Sequence, residues 1–242
     1  MPYERLRADA VIATAQRLQL RILARFPDRN LSGVAERLAA VTGDIEAVAA
    51  EPRWMRALRG VSVVAIAVLV LMALTSLVAV ALELIGGTES PLAWLQAVET
   101  TVNDFVFVGV AVAFLWFLPA QVQRRRILAE LHRLRSLAHV IDMHQLTKDP
   151  ERFGADFQRT AQTVDVGLTP AQMSTYLDYC SELLSLVAKA AALYAERSTD
   201  AAVLDTISDI ENLTNGMSRK IWQKLAMLAT AARAQPRPGE GD

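Results

Sequence analysis

The stretch that decides the fold is Val61 to Leu82, VSVVAIAVLVLMALTSLVAVAL, 22 residues without a charge. Its only polar members are Ser62, Thr75 and Ser76, whose hydroxyls can bond back to carbonyls of their own helix. About 20 apolar residues at 1.5 Å each cross a hydrocarbon core of about 30 Å. The stretch is too long for an ordinary buried core helix. Some 60 residues that read as folded precede it, which argues against a cleaved signal peptide.

Working outward, no Lys or Arg occurs from Gly60 to Gln123, a gap of 64 residues. A second apolar run lies in this gap, Phe105 to Leu118, FVFVGVAVAFLWFL. Its 14 residues need the more polar positions from Glu99 onward to complete a crossing. Ser90 suits an N-cap and Pro91 a first helical position, so the pattern predicts a helix from Pro91 to Leu118, kinked or ended by Pro119. Arg53, Arg56 and Arg59 precede the first span, and Arg124, Arg125 and Arg126 follow the second. The intervening loop carries Glu83, Glu89, Glu99 and Asp104 with no base. The positive-inside rule then places both termini in the cytoplasm, with Trp54 and Trp116 at the inner interface and Trp94 at the outer one. The expected location is a bacterial inner membrane.

The remainder reads as helix. Pro2 to Phe26 is amphipathic and stops at Pro27, and a second helix from Asn30 to about Ala50 carries Leu31, Val34, Leu38, Val41, Ile45 and Val48 on one stripe. Gln121 to Leu146 continues the second span, with Ile127, Leu131, Leu134, Ala138 and Ile141 as its seam. Residues 151–168 are ambiguous, and Gly154 and Gly167 point to a short helix between loops. Thr169-Pro170 opens a helix to about Arg197 whose seam, Met173, Leu177, Cys180, Leu184, Val187, Ala191 and Tyr194, keeps strict heptad spacing. A last helix runs from about Thr199 to Ala234 with Val203, Ile207, Ile210, Thr214, Met217 and Ile221 in the same spacing. The tail from Gln235 is disordered by composition.

The expected fold is therefore an all-α integral membrane protein with two transmembrane helices and a cytoplasmic helical bundle or coiled-coil-like domain. The expected segments are N-terminal helices over 1–52, a membrane hairpin over 53–123 with spans of about 61–83 and 98–119, a C-terminal helical domain over 124–234, and the tail 235–242. The helix seams must be buried, either within one chain or against a second copy.

Several residues are candidates for function. Glu99, Thr100, Asn103 and Asp104 cluster at the outer end of the second span, and in a ring of subunits they would form the acidic mouth of a cation pore. The bland alternative is an interfacial cap or a bond to the first span. Gly109 and Ala113 form a small-xxx-small pair suited to close helix packing. His132, Arg135, His139 and Asp142 share one helical stripe, expected to act as a polar ladder rather than a metal site, because His132 and His139 stand about 10 Å apart along the axis. Ser218, Arg219, Lys220, Trp222 and Lys224 either face solvent or grip an acidic partner or lipid headgroups.

Other chemistry is excluded or unsupported. The single cysteine, Cys180, leaves no intramolecular disulfide and no Cys-rich zinc site, and it reads as a small core residue. A net charge of −1 gives no reason to expect nucleic acid. There is no glycine-rich phosphate loop, nucleophile elbow or helical His-Glu-x-x-His, so neither an enzyme nor a cofactor is expected.

The plan of two spans, acids at the start of the second and helices on both flanks resembles calcium-uniporter-type channels. The resemblance lies in layout. The Trp-Asp-x-x-Glu-Pro filter motif of that family is missing, so no residue role carries over. Small bacterial two-span effector proteins share the same plan. Two functions follow as expectations: a membrane-anchored scaffold that self-associates through its cytoplasmic helices and recruits a protein partner, or a homo-oligomeric cation-selective pore lined by the second span.

Overall fold

The computed structural model describes residues 6–49, 53–86, 91–154, 157–196 and 198–234. Among the described residues six α-helices run in order: α1 (Ala8–Arg25), α2 (Asn30–Ala49), α3 (Arg53–Ile85), α4 (Pro91–Leu146), α5 (Pro170–Ala195) and α6 (Ala201–Ala234). A 3-10 turn, Pro150–Phe153, lies between α4 and α5. No strand occurs among the described residues. The expectations for residues 2–5, Glu89, Ser90 and the tail from Gln235, and for the side chains of Val48, Glu83 and Trp94, fall outside what is described.

The chain divides into two compact units, residues 50–126 and residues 1–49 with 127–242. The first is the hairpin of α3 with the leading part of α4. Both of its helices are long and apolar enough to cross a membrane. The most apolar 18-residue window within Trp54–Leu82 has a mean hydropathy of 2.9, and none of that window is buried. The exposed side chains include Val61, Val64, Val68, Leu71, Leu74, Val78 and Leu82 on α3, and Phe107, Val110, Phe114 and Phe117 on α4. A water-soluble core helix would bury these positions. The less exposed positions recur at three- and four-residue steps, Leu58, Ser62, Ala65 with Ile66, Leu69, Ala73, Ser76 and Val80 on α3 with Asp104, Val108, Ala111, Leu115, Leu118 and Val122 on α4. Each helix thus turns a narrow seam toward the other. α4 continues through Pro119, which is buried. Proline has no N–H there, so the Leu115 carbonyl loses its partner within the helix.

The second unit is a bundle around α5. Thirteen residues of α5 are buried, among them Met173, Leu177, Cys180, Leu184, Val187 and Tyr194, the whole heptad seam with Ala191. α1, α2 and α6 pack against it. Leu131, Leu134, Ala138 and Ile141 of α4 join the same core, with Leu18 and Ile22 of α1 and Leu31 and Leu38 of α2. Val203, Ile207, Ile210, Met217 and Ile221 complete it from α6, where the buried Thr214 hydroxyl donates to the Ile210 carbonyl at 2.9 Å. The seams are therefore filled within a single chain.

Local chemistry sets the boundaries. Thr169 Oγ1 accepts from the Gln172 N–H at 3.2 Å, and Gln172 Oε1 accepts from the Thr169 N–H at 2.9 Å. This capping box, with Pro170 in the first turn, starts α5. Asp149 caps the 3-10 turn by accepting from the Glu151 N–H. Of the ambiguous segment 151–168, residues 151–153 belong to this turn and the described residues 157–168 form neither helix nor strand, with Gly167 at φ +56°, a conformation glycine adopts without steric cost.

Candidate functional site

In the hairpin, the acid singled out from sequence has a partner. Ser76 Oγ donates to Asp104 Oδ2 at 3.2 Å, linking α3 to α4. At the other end of the hairpin, Arg59 Nη2 donates to Gln123 Oε1 at 3.5 Å. The two bonds set an antiparallel register that brings Ser62 to the level of Pro119. Ser62 is buried, and its hydroxyl has no hydrogen-bond partner. The rest of the acidic cluster does not join Asp104: Glu99, Thr100 and Asn103 are exposed, and the Thr100 hydroxyl donates to its own helix at the Gln96 carbonyl. Gly109 and Ala113 are also exposed, and a Cβ built on Gly109 would meet nothing within 4 Å. The small residues at the α3–α4 seam are instead Ser62, Ala73, Ser76 and Ala111.

In the bundle unit, the stripe of His132, Arg135, His139 and Asp142 does not form a connected ladder. His132 and His139 are exposed, and Asp142 accepts a hydrogen bond from Gln145 Nε2 at 2.7 Å. Among the described residues, no group of three or more His, Cys, Asp or Glu side chains is placed to hold a metal ion. Cys180 is fully buried, and burial pushes its thiol up to about 12. It is a core residue without thiolate reactivity near neutral pH.

The densest functional chemistry in this unit lies at one end of the bundle, where segments distant in sequence converge on Lys148. Lys148 is 9% exposed. Its Nζ sits 4.9 Å from the centre of the Tyr176 ring and donates to Thr147 Oγ1 at 2.8 Å. Tyr176 in turn stacks edge-on against Phe26 at 5.4 Å, and its hydroxyl lies 3.5 Å from His144 Nδ1. The Gln145 carbonyl accepts from the Lys148 N–H at 3.1 Å and from Lys224 Nζ at 2.8 Å, so both lysines share one anchor. Arg29, from the turn between α1 and α2, donates to the Gly167 carbonyl at 3.2 Å. Arg152 donates to the Val164 carbonyl at 2.7 Å. Two arginines thus hold the irregular connection before α5 by carbonyls three residues apart.

Burial lowers the Lys148 pKa, Cys180 opposes it as the next largest effect, and Arg29, Lys224 and Arg152 each add a smaller depression. Burial likewise lowers Lys224, with Asp149 and Asp142 acting in the opposite direction. His144 is lowered by burial and by Lys148. The phenol of Tyr176 is raised, chiefly by burial.

The same unit carries two open grooves. One of about 700 Å³ lies between α2 and α4, lined by Gly33, Arg37, Asp44, Arg133, Val140 and His144. Another of about 580 Å³ lies between α5 and α6, lined by Ser181, Ser185, Ala188, Glu211, Ser218 and the exposed Trp222.

Sequence reading named Lys224 within a basic run and missed Lys148, Arg29 and Arg152. The usable signal was a lysine directly after the end of an amphipathic helix, between buried Gln145 and buried Pro150. Comparison with protein-family models, with curated proteins and with solved structures finds no match.

Proposed function

We propose that this chain is a two-span protein of a bacterial inner membrane, with both termini in the cytoplasm, whose helical bundle is a membrane-anchored scaffold that recruits a protein partner and self-associates. The observation that carries the proposal is the contrast between the units. The hairpin leaves long apolar helices uncovered, whereas the bundle closes its own core. An uncovered apolar surface of that size calls for lipid or protein around it. Arginines at one end of the hairpin and acids toward the other support the orientation.

The bond between Asp104 and Ser76 supports an anchoring role for the hairpin. Because the α5 and α6 seams are filled within the chain, recruitment and self-association use the remaining surfaces, namely the groove between α2 and α4 and the groove ending at Trp222. The pore is the second reading, and one observation favours it: Glu99, Thr100 and Asn103 stay exposed at the acidic end of α4, where a ring of subunits would bring them together.

Topology is the first test. With Cys180→Ala as background, a cysteine at Thr88 reacts with an impermeant thiol reagent in intact cells and one at Gly239 does not. The reverse pattern overturns the orientation, and release of the protein by alkaline carbonate overturns the membrane anchor. Partner capture through the bundle, lost on Trp222→Ala or Arg37→Glu, then separates the scaffold from a pore, which would instead show ion flux after reconstitution.

A further inference from the structure

We infer that the end of the bundle where Arg29, Lys148, Arg152 and Lys224 converge is a binding site for a phosphate-type oxyanion. The four cations come from four segments, the α1–α2 turn, the end of α4, the 3-10 turn and α6. Among the described residues none of them forms an ion pair. Each is anchored on an uncharged oxygen instead, the carbonyls of Gly167, Val164 and Gln145 and the hydroxyl of Thr147. Each anchor uses one N–H, so most of the donors on two guanidinium and two ammonium groups remain free. Asp149 and Asp142 are the acids that act on Lys224, and Asp165, beside Arg152, is engaged by Arg159 at 3.5 Å. Among the described residues no acid lies within ion-pair distance of Lys148.

Burying an ammonium group beside three other cations is unfavourable, and removal of the proton or arrival of an anion relieves it. An oxyanion satisfies the free donors with charge-assisted hydrogen bonds, which a change of protonation cannot do. The neighbourhood suits such a ligand. Arg29, Arg152 and Lys224 are only partly buried, and the irregular stretch 157–168 is held at the site by Arg29 and Arg152. Connections of this length without secondary structure are uncommon in compact domains and are usually functional. The site belongs to the bundle unit and does not require the hairpin to cross a membrane. The phosphate is either free or carried on a lipid headgroup.

The test uses the full chain in an uncharged detergent, titrated with inorganic phosphate against chloride at matched ionic strength, with thermal unfolding of the bundle as readout. A parallel arm uses phosphatidylcholine nanodiscs with and without phosphatidic acid, in buffer free of phosphate. The expected result is a saturable rise of about 5 °C or more once the ligand is about a hundredfold above its Kd. Lys148→Met abolishes the response without lowering the ligand-free melting temperature, because it removes repulsion. Lys224→Gln and Arg152→Gln weaken binding about tenfold each. They decide the matter if Lys148→Met does not fold.

A response to inorganic phosphate identifies a free oxyanion, and one confined to phosphatidic acid identifies a headgroup. Absence of a saturable response in both arms overturns the site, as does an equal response in wild type and all variants, which is the signature of general salting-out. Because the phosphate arm needs no bilayer and no protein partner, its failure leaves the membrane-scaffold reading untouched.

Discussion

Ser76 on α3 and Asp104 on α4 are joined by a hydrogen bond of 3.2 Å across the hairpin. Asp104 is half-buried at the α3–α4 seam, so the orientation of its carboxylate depends on this hydroxyl and on what a neighbouring helix can offer. Interhelical hydrogen bonds in membranes are worth roughly 0.5–1.5 kcal/mol by double-mutant cycles. A cycle of Ser76→Ala and Asp104→Asn, read by reversible unfolding in bicelles, should show coupling in this range. Additive effects combined with a drop in cation selectivity on Asp104→Asn would instead place the carboxylate in a conduction path.

The second prediction concerns the centre of the bundle. Leu184 is fully buried in the α5 seam. Leu184→Asp removes an apolar side chain and buries a charge without a partner, at a cost of about 3–5 kcal/mol. That is a large part of the stability of a typical domain. Circular dichroism should show early melting of the bundle helices. Wild-type melting would show that this face of α5 is open to water.

The third prediction is a pH dependence with a fixed sign. The His144 pKa is depressed from 6.5 by burial and by Lys148. The unfolded chain therefore takes up this proton before the folded chain does. The contribution of His144 is neutral above about pH 6.5 and becomes increasingly destabilising as pH falls through that value toward the lower folded pKa. Tyr176 and Lys148 face the ring, and Arg37, Asp44 and Arg133 line the groove it borders. In wild type, the bundle should lose stability on acidification below pH 6.5 more steeply than in His144→Asn. Identical slopes would show that the imidazole protonates freely in the folded state.

Much of the architecture was legible in the chain because it depends on local pattern. Hydropathy alone marks α3, since 22 uncharged residues have few other uses. Pro27, Thr169 and Pro170 mark helix ends because backbone chemistry at those positions acts within a few residues. The heptads of α5 and α6 announce buried seams, and every named position on α5 is buried.

What closes those seams was not legible, because the same spacing serves a bundle and an oligomer equally well. The tertiary structure decided it by placing the N-terminal helices with α4, α5 and α6 in one core. It also separated Asp104 from Glu99 and Asn103, which share its end of the helix in sequence. A narrow seam selects which polar groups meet α3 and which face outward. The convergence of cations on Lys148 belongs wholly to the tertiary level. Burial and charge–charge proximity depend on where the turn at Arg29, the connection at Gly167 and the α6 lysine come to rest, and no local pattern encodes distances between segments so far apart in the chain.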